Sequence, residues 1–409
     1  MKDNLALAAL PRLDAHLPRW REVPLYRHAL SGNGGAPFDF HEEFFRLPFI
    51  TKREMREGFP RNFLRADQRL ESLLEDQVVE LEHTSGTSEE QTPVLFRRGW
   101  WNEQEERALR LNAEVAGVLD KFPAARRATL TTPTCNGSAC HTAWMSRTER
   151  TIGHTLYVNL ARIPFLLKPD AHARMAEEIA EWAPQFLDTD PVHAAWFALY
   201  CEKHGLRFPS LKFILASYEY VSVAHKRILE RVFRVPVLNL YGSTETGHLL
   251  MEDTRGELRP SDETAFLEIV HPDETGVGDL VVTTLSNDFM PLVRYRIGDL
   301  VQRRGSAYIV YGRARDALKR ADGRRVTTHD VDQCFTEAAG VAHYQLRQED
   351  NGTAKLDVIA DGAGPSAEDL HAVTARLENL LQPAAPLKAQ VVDSLLPSPS
   401  GKFRLTQRA

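Results

Sequence analysis

The sequence predicts an α/β protein: a large N-terminal α/β core carrying a β subdomain, followed by a small α+β C-terminal domain. Three observations lead there. Short apolar runs bounded by turn residues alternate with amphipathic helical stretches through the middle of the chain. From Thr264 the texture turns to β, and from about Arg313 a further α+β unit runs to the end. At 409 residues the chain is long enough for two to three domains.

Taken in order, residues 1 to about 76 read as helical and irregular, broken at Pro11, Pro18 and the SGNGGAP stretch from Ser31. QVVELEHTSGTSEEQTPVLF reads as strand, polar loop, strand, because Gln77 to Leu81 is short and centred on β-branched Val78-Val79. Apolar positions at helical spacing predict one amphipathic helix from Asn102 to Leu119. ATLTTPT is a short strand ending in a Cys135–Gly137 turn. Helices are expected over Asp170–Leu187 and Val221–Phe233. LKFILAS and VPVLNLY are short enough and apolar enough to be buried parallel strands. TAFLEIVHP, GDLVVTTL, PLVRYRIGDLVQRR and AYIVYGR make the β subdomain. GAGPSAEDLHAVTARLENLLQ is a capped helix, followed by the strand AQVVDSLL. No internal repeat or low-complexity tract interrupts this order.

The hydrophobic fraction of 43% and charged fraction of 26% are those of an ordinary soluble globular protein. A net charge of −6 provides no basic footprint for nucleic acid or an anionic membrane. The basic run from Arg313 to Arg325 reads as solvated surface. No apolar stretch approaches the roughly 20 residues that span a bilayer. The N-terminal MKDNLALAALPRLDAHLPRW lacks the features of a secretory signal, so a cytoplasmic location is expected. Four cysteines do not make a disulfide framework. Cys135, Cys140 and His141 have no second ligand pair at zinc-finger spacing, and buried or pocket-lining thiols are the plainer account.

Four segments carry chemistry. His83 to Ser88 is a small hydroxylated loop after a strand, able to wrap a phosphate with N–H groups and hydroxyls, though such loops are usually plain turns. Tyr241-Gly242-Ser243-Thr244-Glu245-Thr246-Gly247 follows an apolar strand. A hydroxyl beside a carboxylate there suits phosphate and Mg²⁺, and a helix N-cap at Ser243 or Thr244 is the alternative. Tyr295 to Leu300 contains Asp299, a candidate acceptor from ribose hydroxyls, and Arg313 follows Gly312 nearby; for each of these residues singly a surface salt bridge is the alternative. Leu396 to Lys402 puts a lysine on a glycine turn, where a cation can stabilise developing negative charge or simply lie in solvent.

In this order and approximate spacing, the four segments resemble the adenylate-forming superfamily of acyl- and aryl-CoA ligases and carrier-protein adenylation domains, from about residue 80 to the end. The short chain, with its compact Pro397 to Lys402 motif, looks most like the phenylacetate–CoA ligase branch. The resemblance implies that Ser85, Gly86, Thr87 and Ser88 form the phosphate loop and that Ser217, Tyr218 and Glu219 occupy the adenine-side segment. It implies that Tyr241, with Gly242 and Ser243 beside it, lies near the adenine, that Thr244 binds phosphate and that Glu245 holds Mg²⁺. Asp299, helped by Arg313, would bind the ribose, and Lys402 would be the adenylation lysine. Residues 1–312 would form the ATP- and acid-binding core and 313–409 a small mobile α+β C-terminal domain, hinged at Arg315 or Asp316. Two departures stand out. Glu89 and Glu90 follow Ser88 where the family carries glycine and lysine, and the segment from Gly312 to Gly323 is slightly long.

The carboxylic acid substrate is expected among Asn136, His141, Trp144, Tyr218 and His248, an apolar and aromatic set with a few polar groups that suits an aryl acid; any one of them is equally placed to be a satisfied core residue. The implied reaction is activation by ATP to an acyl-adenylate, then transfer to the thiol of CoA or of a carrier protein's phosphopantetheine. Transfer to an amine, giving an amide, is a second reading. A nucleotide-binding partner protein without catalysis is a third, favoured only by the acidic phosphate loop.

Overall fold

The computed structural model describes residues 10–31, 38–84, 91–131, 145–158, 163–398 and 401–408. The chain divides into two compact units. One comprises Met1–Leu111, Gly242–Met251 and Arg259–Tyr308; the other comprises Asn112–Tyr241, Glu252–Leu258 and Ile309–Ala409.

The first unit is built on an antiparallel meander of Ala265–Val270, Gly278–Thr284 and Tyr295–Arg304. The register of the last pair slips between Asp279 and Val281, opposite Gly298, whose φ is +90°. The bulge interrupts strand alternation, so Asp299 and Leu300 are both buried. Among N-terminal aromatic residues, Phe44 stacks on Trp20 and meets Phe40 and Phe266 at tilted angles. Arg294 ties this region down. Its guanidinium faces the buried Glu268 carboxylate at 3.0 Å and donates to the carbonyls of Phe45 and Leu47 at 2.7 and 2.6 Å. Ile50 then bridges to Tyr295. A separate hairpin pairs Val79–His83 with Pro93–Arg97, the strand–loop–strand that residue pattern predicts.

The second unit holds a parallel sheet. Thr155–Tyr157, Arg127–Leu130, Phe186–Thr189, Phe213–Ala216 and the strand starting at Val237 lie side by side. The central strand Phe213–Ala216 is buried along its whole length, which is why it is a continuous apolar run. The core of the sheet includes Leu130, Leu187, Ile214, Ile179, Phe197 and Leu229, drawn from the strands and from helices Pro169–Trp182, Pro191–Lys203 and Val223–Phe233. A four-stranded sheet follows, in the order Lys388–Val391, Ala354–Ala360, Val341–Gln348, Thr406–Arg408. Helix Ala367–Leu381 contributes Val373, Leu377 and Leu381 to its core.

Two expected helices are corrected. The stretch from Asn102 to Leu119 is two helices, Trp100–Leu109 and Ala113–Lys121. Asn112 breaks it: its side-chain oxygen accepts from Glu114 N and Val115 N, while its amide donates to Glu252 O at 2.9 Å. An N-cap residue sits outside helical φ/ψ, so periodicity alone runs straight through it. The helix expected to reach Leu187 ends at Trp182, with Ala183 left-handed and Pro184 unable to continue it. Phe186 and Leu187 then belong to a central strand. The strand expected in ATLTTPT covers Arg127–Leu130, and the Cys135–Gly137 turn lies outside the described residues.

Candidate active site

In the first unit, the turn after the strand Val237–Ser243 leads directly into another strand, Gly247–Glu252, so no helix begins at Ser243 or Thr244. The turn is tightly folded. A Cβ on Gly242 would lie 2.3 Å from the carbonyl oxygen of Gly247, and Ser243 Oγ lies 3.0 Å from Thr246 Oγ1. Thr244 is half-buried and Glu245 is buried. The Tyr295 hydroxyl donates to Glu245 Oε1 at 3.0 Å, and Lys52 Nζ lies 2.9 Å from the same oxygen. A buried carboxylate needs such compensation. Lys52 opens the short helix Lys52–Arg56, whose start is set by the Thr51/Glu54 capping box.

Tyr295 and Asp299 stand on one strand, with Asp299 5% exposed. His248 is oriented by Gln104, which accepts from its backbone N–H at 2.6 Å and lies 3.0 Å from its Nδ1. The His248 ring packs edge-on to Trp101, itself beside Phe96 and Trp100. Gly247, with φ +73°, has no room for a Cβ against Gln104 and Trp100.

In the second unit, Ser217, Tyr218 and Glu219 form a turn beyond the strand Phe213–Ala216. Asp188 organises it, accepting from Ser217 Oγ and from the Tyr218 hydroxyl at 2.8 Å each. Burial and the neighbouring Asp188 carboxylate hold the Tyr218 hydroxyl far above its usual pKa, so it is a permanent neutral donor. Tyr218 has a φ of +71°, and its outward carbonyl accepts from Lys402 Nζ at 2.7 Å. The next residue, Phe403, donates its N–H to Glu219 Oε1 at 2.9 Å. Lys402 follows Gly401, whose φ of +84° closes the turn. Tyr241 is half-buried near the end of its strand. Arg313 ends the strand Ala307–Arg313, and Arg315 and Asp316 lie in the single turn Ala314–Asp316, with Arg404 Nη1 3.5 Å from Asp316.

The structure therefore groups Gly242, Ser243, Thr244 and Glu245 in one turn, and Ser217, Tyr218, Glu219 and Lys402 in one hydrogen-bonded cluster. Ser85, Gly86, Thr87 and Ser88, and likewise Asn136, His141 and Trp144, lie outside the described residues. Thr84 and Thr92 bond to each other, and Arg56 Nη1 donates to Thr92 Oγ1 at 3.3 Å. Lys52, Arg56, Tyr295 and Asp188 were not legible as site residues. Each reaches its position through pairing remote in sequence, and only the Thr51–Glu54 capping pattern marks the helix that presents Lys52.

Across its full length the chain superposes on a 2-hydroxyisobutyryl-CoA ligase in the postadenylation state in complex with R3-HIB-AMP. The TM-score is 0.69 at 16% identity, covering 100% of this chain and 90% of that one. The chain has the adenylate-forming ligase fold. That α/β architecture, core followed by a C-terminal domain, is the one the residue pattern predicts. An anthranilate CoA ligase, AuaEII, in complex with anthranoyl-AMP has the same fold, with a TM-score of 0.54 at 13% identity over 79% of this chain and 65% of that one.

By sequence, this adenylate-forming fold is similar to the phenylacetate-coenzyme A ligase of Thermus thermophilus, 26% identical over 71% of this chain. It is also similar to the phenylacetate-coenzyme A ligase of Escherichia coli, 25% identical over 81% of it. The chain spans 63% and 72% of those two enzymes. The resemblance is thus to the phenylacetate–CoA ligase branch. No family model matches the chain.

Proposed function

We propose that the protein is an AMP-forming acid–thiol ligase that activates an aromatic carboxylic acid with ATP and passes the acyl group to coenzyme A. The observation that carries this reading is the Lys402 ammonium held on the Tyr218 carbonyl. A C-terminal lysine brought to the Ser217–Glu219 turn supports a role in charge stabilisation during adenylation, and nucleotide binding alone does not need it. Lys402 would offset negative charge developing at the α-phosphate as the substrate carboxylate attacks and pyrophosphate leaves. Asp299 would accept from the ribose hydroxyls, with Arg313 as an added donor, and Tyr241 would lie against the adenine. Ser85, Gly86, Thr87, Ser88 and Thr244 would hold the phosphates.

The chemistry at Glu245 fits Mg²⁺. It offers carboxylate oxygens, the ligand type that hard divalent ions take, and Lys52 competes for one of them. Among the described residues no group of three or more His, Cys, Asp or Glu could hold a metal. Glu245 would hold the ion, which would supply neutralisation of the triphosphate's charge. A carrier protein's phosphopantetheine carries the same thiol, but the similar proteins are coenzyme A ligases, which favours CoA. An aryl acid is favoured by the sequence relatives, which are phenylacetate-coenzyme A ligases, and by the Phe96, Trp100, Trp101 and His248 aromatic set. Residues 313–409 would be the mobile domain, turning about Arg315 or Asp316.

ATP–pyrophosphate exchange across aryl, fatty and amino acids tests the proposal. Exchange with aryl acids, followed by thioester formation with free CoA, is the expected result. Absence of exchange with every acid would remove the ligase reading. Exchange followed by thioester formation only on a loaded carrier would reassign the acceptor.

A further inference from the structure

Glu219 Oε1 accepts from a backbone N–H of the turn that carries Lys402. We infer that Glu219 is a positioning residue for Lys402, clasping the C-terminal turn by the Phe403 amide; the inference rests on the adenylation reading of Lys402. Two consecutive residues of one turn meet two consecutive residues of the other in reciprocal fashion. The Lys402 side chain donates to the Tyr218 backbone at 2.7 Å, and the Phe403 backbone donates to the Glu219 side chain at 2.9 Å.

Both turns are fixed independently of this contact. On one side, Ser217 N donates to Thr189 O at 3.0 Å, Glu219 N donates to Ser217 O at 2.8 Å, and Asp188 holds the Ser217 and Tyr218 hydroxyls. On the other, Gly401 N donates to Ser398 O at 2.8 Å and Ser398 N to Lys402 O at 2.7 Å. The Phe403 ring is buried against Phe165, His343 and His193. A lysine has a long, floppy side chain, and ordering it costs rotamer entropy. Anchoring the adjacent backbone to a carboxylate, a charge-assisted bond, places the lysine's Cα so that only the side chain remains to be ordered. Glu219 therefore acts through the main chain of the neighbouring residue and not by contacting nucleotide.

The test separates the two half-reactions in the full-length protein. Pyrophosphate exchange reports adenylation, and thioester formation from chemically prepared acyl-AMP and CoA reports transfer. Glu219→Ala is expected to lower the kcat of exchange about tenfold or more, the loss appropriate to a charged hydrogen bond. KM for ATP stays within about twofold, because ground-state binding is untouched. Transfer falls much less than adenylation, so the ratio of the two rates drops. Glu219→Gln keeps an oxygen acceptor and recovers most of the lost rate. In parallel, hydrogen exchange of the peptide containing Phe403 becomes faster in Glu219→Ala than in the parent or in Glu219→Gln, a readout independent of activity. A rise in KM for ATP at unchanged kcat would make Glu219 a nucleotide ligand. Equal losses in both half-reactions, or unchanged protection at Phe403, would also overturn the clasp. Unchanged protection speaks against Glu219 alone, whereas parent protein that exchanges no pyrophosphate speaks against the ligase reading.

Discussion

Lys52 Nζ lies 2.9 Å from Glu245 Oε1, and the same oxygen accepts the Tyr295 hydroxyl at 3.0 Å. The carboxylate that would take a metal is thus balanced by a lysine from the N-terminal part of the chain. The pair joins a buried acid to a base whose side chain is 31% exposed, so its stability contribution is smaller than that of a fully buried pair.

Lys52→Met removes a cation that competes for Glu245. The nucleotide-free protein is expected to lose about 1–2 kcal/mol, at the low end for breaking a part-buried pair, measured by chemical denaturation. If Glu245 takes Mg²⁺, a Mg²⁺ titration of pyrophosphate exchange shifts to lower half-saturating concentration. An unchanged or higher value would separate Glu245 from the metal.

Gly242→Ala places a methyl group 2.3 Å from the carbonyl oxygen of Gly247. The atoms it meets are the backbone of Gly247 and His248, which cannot swing aside as a side chain would, so the turn carrying Thr244 and Glu245 must shift. Overpacking of this kind costs about 1–3 kcal/mol. The melting temperature falls, and exchange activity falls by a larger factor than stability alone accounts for. Parental activity would show that the geometry of this turn is dispensable.

Lys402→Ala removes the cation proposed to face the α-phosphate. Loss of one charge stabiliser in a site shielded from water lowers rates by about 100-fold or more, so exchange is expected to be nearly abolished while nucleotide binding, followed by calorimetry, persists. Exchange at the parental rate would contradict the assignment.

Acid should loosen the second unit through His225 and His343, whose rings stack with Nε2 and Nδ1 3.0 Å apart. Burial pushes the His225 pKa down to about 3, and burial together with His225 holds His343 well below its usual value. Depressed histidine pKa values mean that the unfolded chain binds more protons. Stability is therefore complete above about pH 6.5 and is lost as pH falls from there toward 3. His172, at about 4 through burial and then its neighbour His193, adds a contribution of the same sign. The melting temperature should fall between pH 7 and 5, and a His225→Asn, His343→Asn double variant should show a shallower fall. Equal slopes would mean that the pair does not set the acid limit.

Much of the fold could be read locally. LKFILAS and VPVLNLY are strands because a buried parallel strand must be apolar on both faces, a property visible in a few residues. Asn112 hid its effect because a helix break needs only one capping side chain, and the Glu252 carbonyl that fixes its amide is remote in sequence. Phe186 and Leu187 continued a helical pattern until strand pairing on both sides claimed them.

From the sequence alone came the order of the strands and turns, the β texture after Thr264, and the spacing of Ser85, Thr244, Glu245, Asp299 and Lys402. These depend on short-range stereochemistry: periodicity, glycine turns and β-branched runs. Tertiary structure alone decided that Lys52 and Tyr295 meet Glu245, that Asp188 braces Tyr218, and that Glu219 bonds Phe403 beside Lys402. Such pairings join residues far apart along the chain. They form only once the core closes around them, and no local pattern encodes which distant partner a buried carboxylate will find.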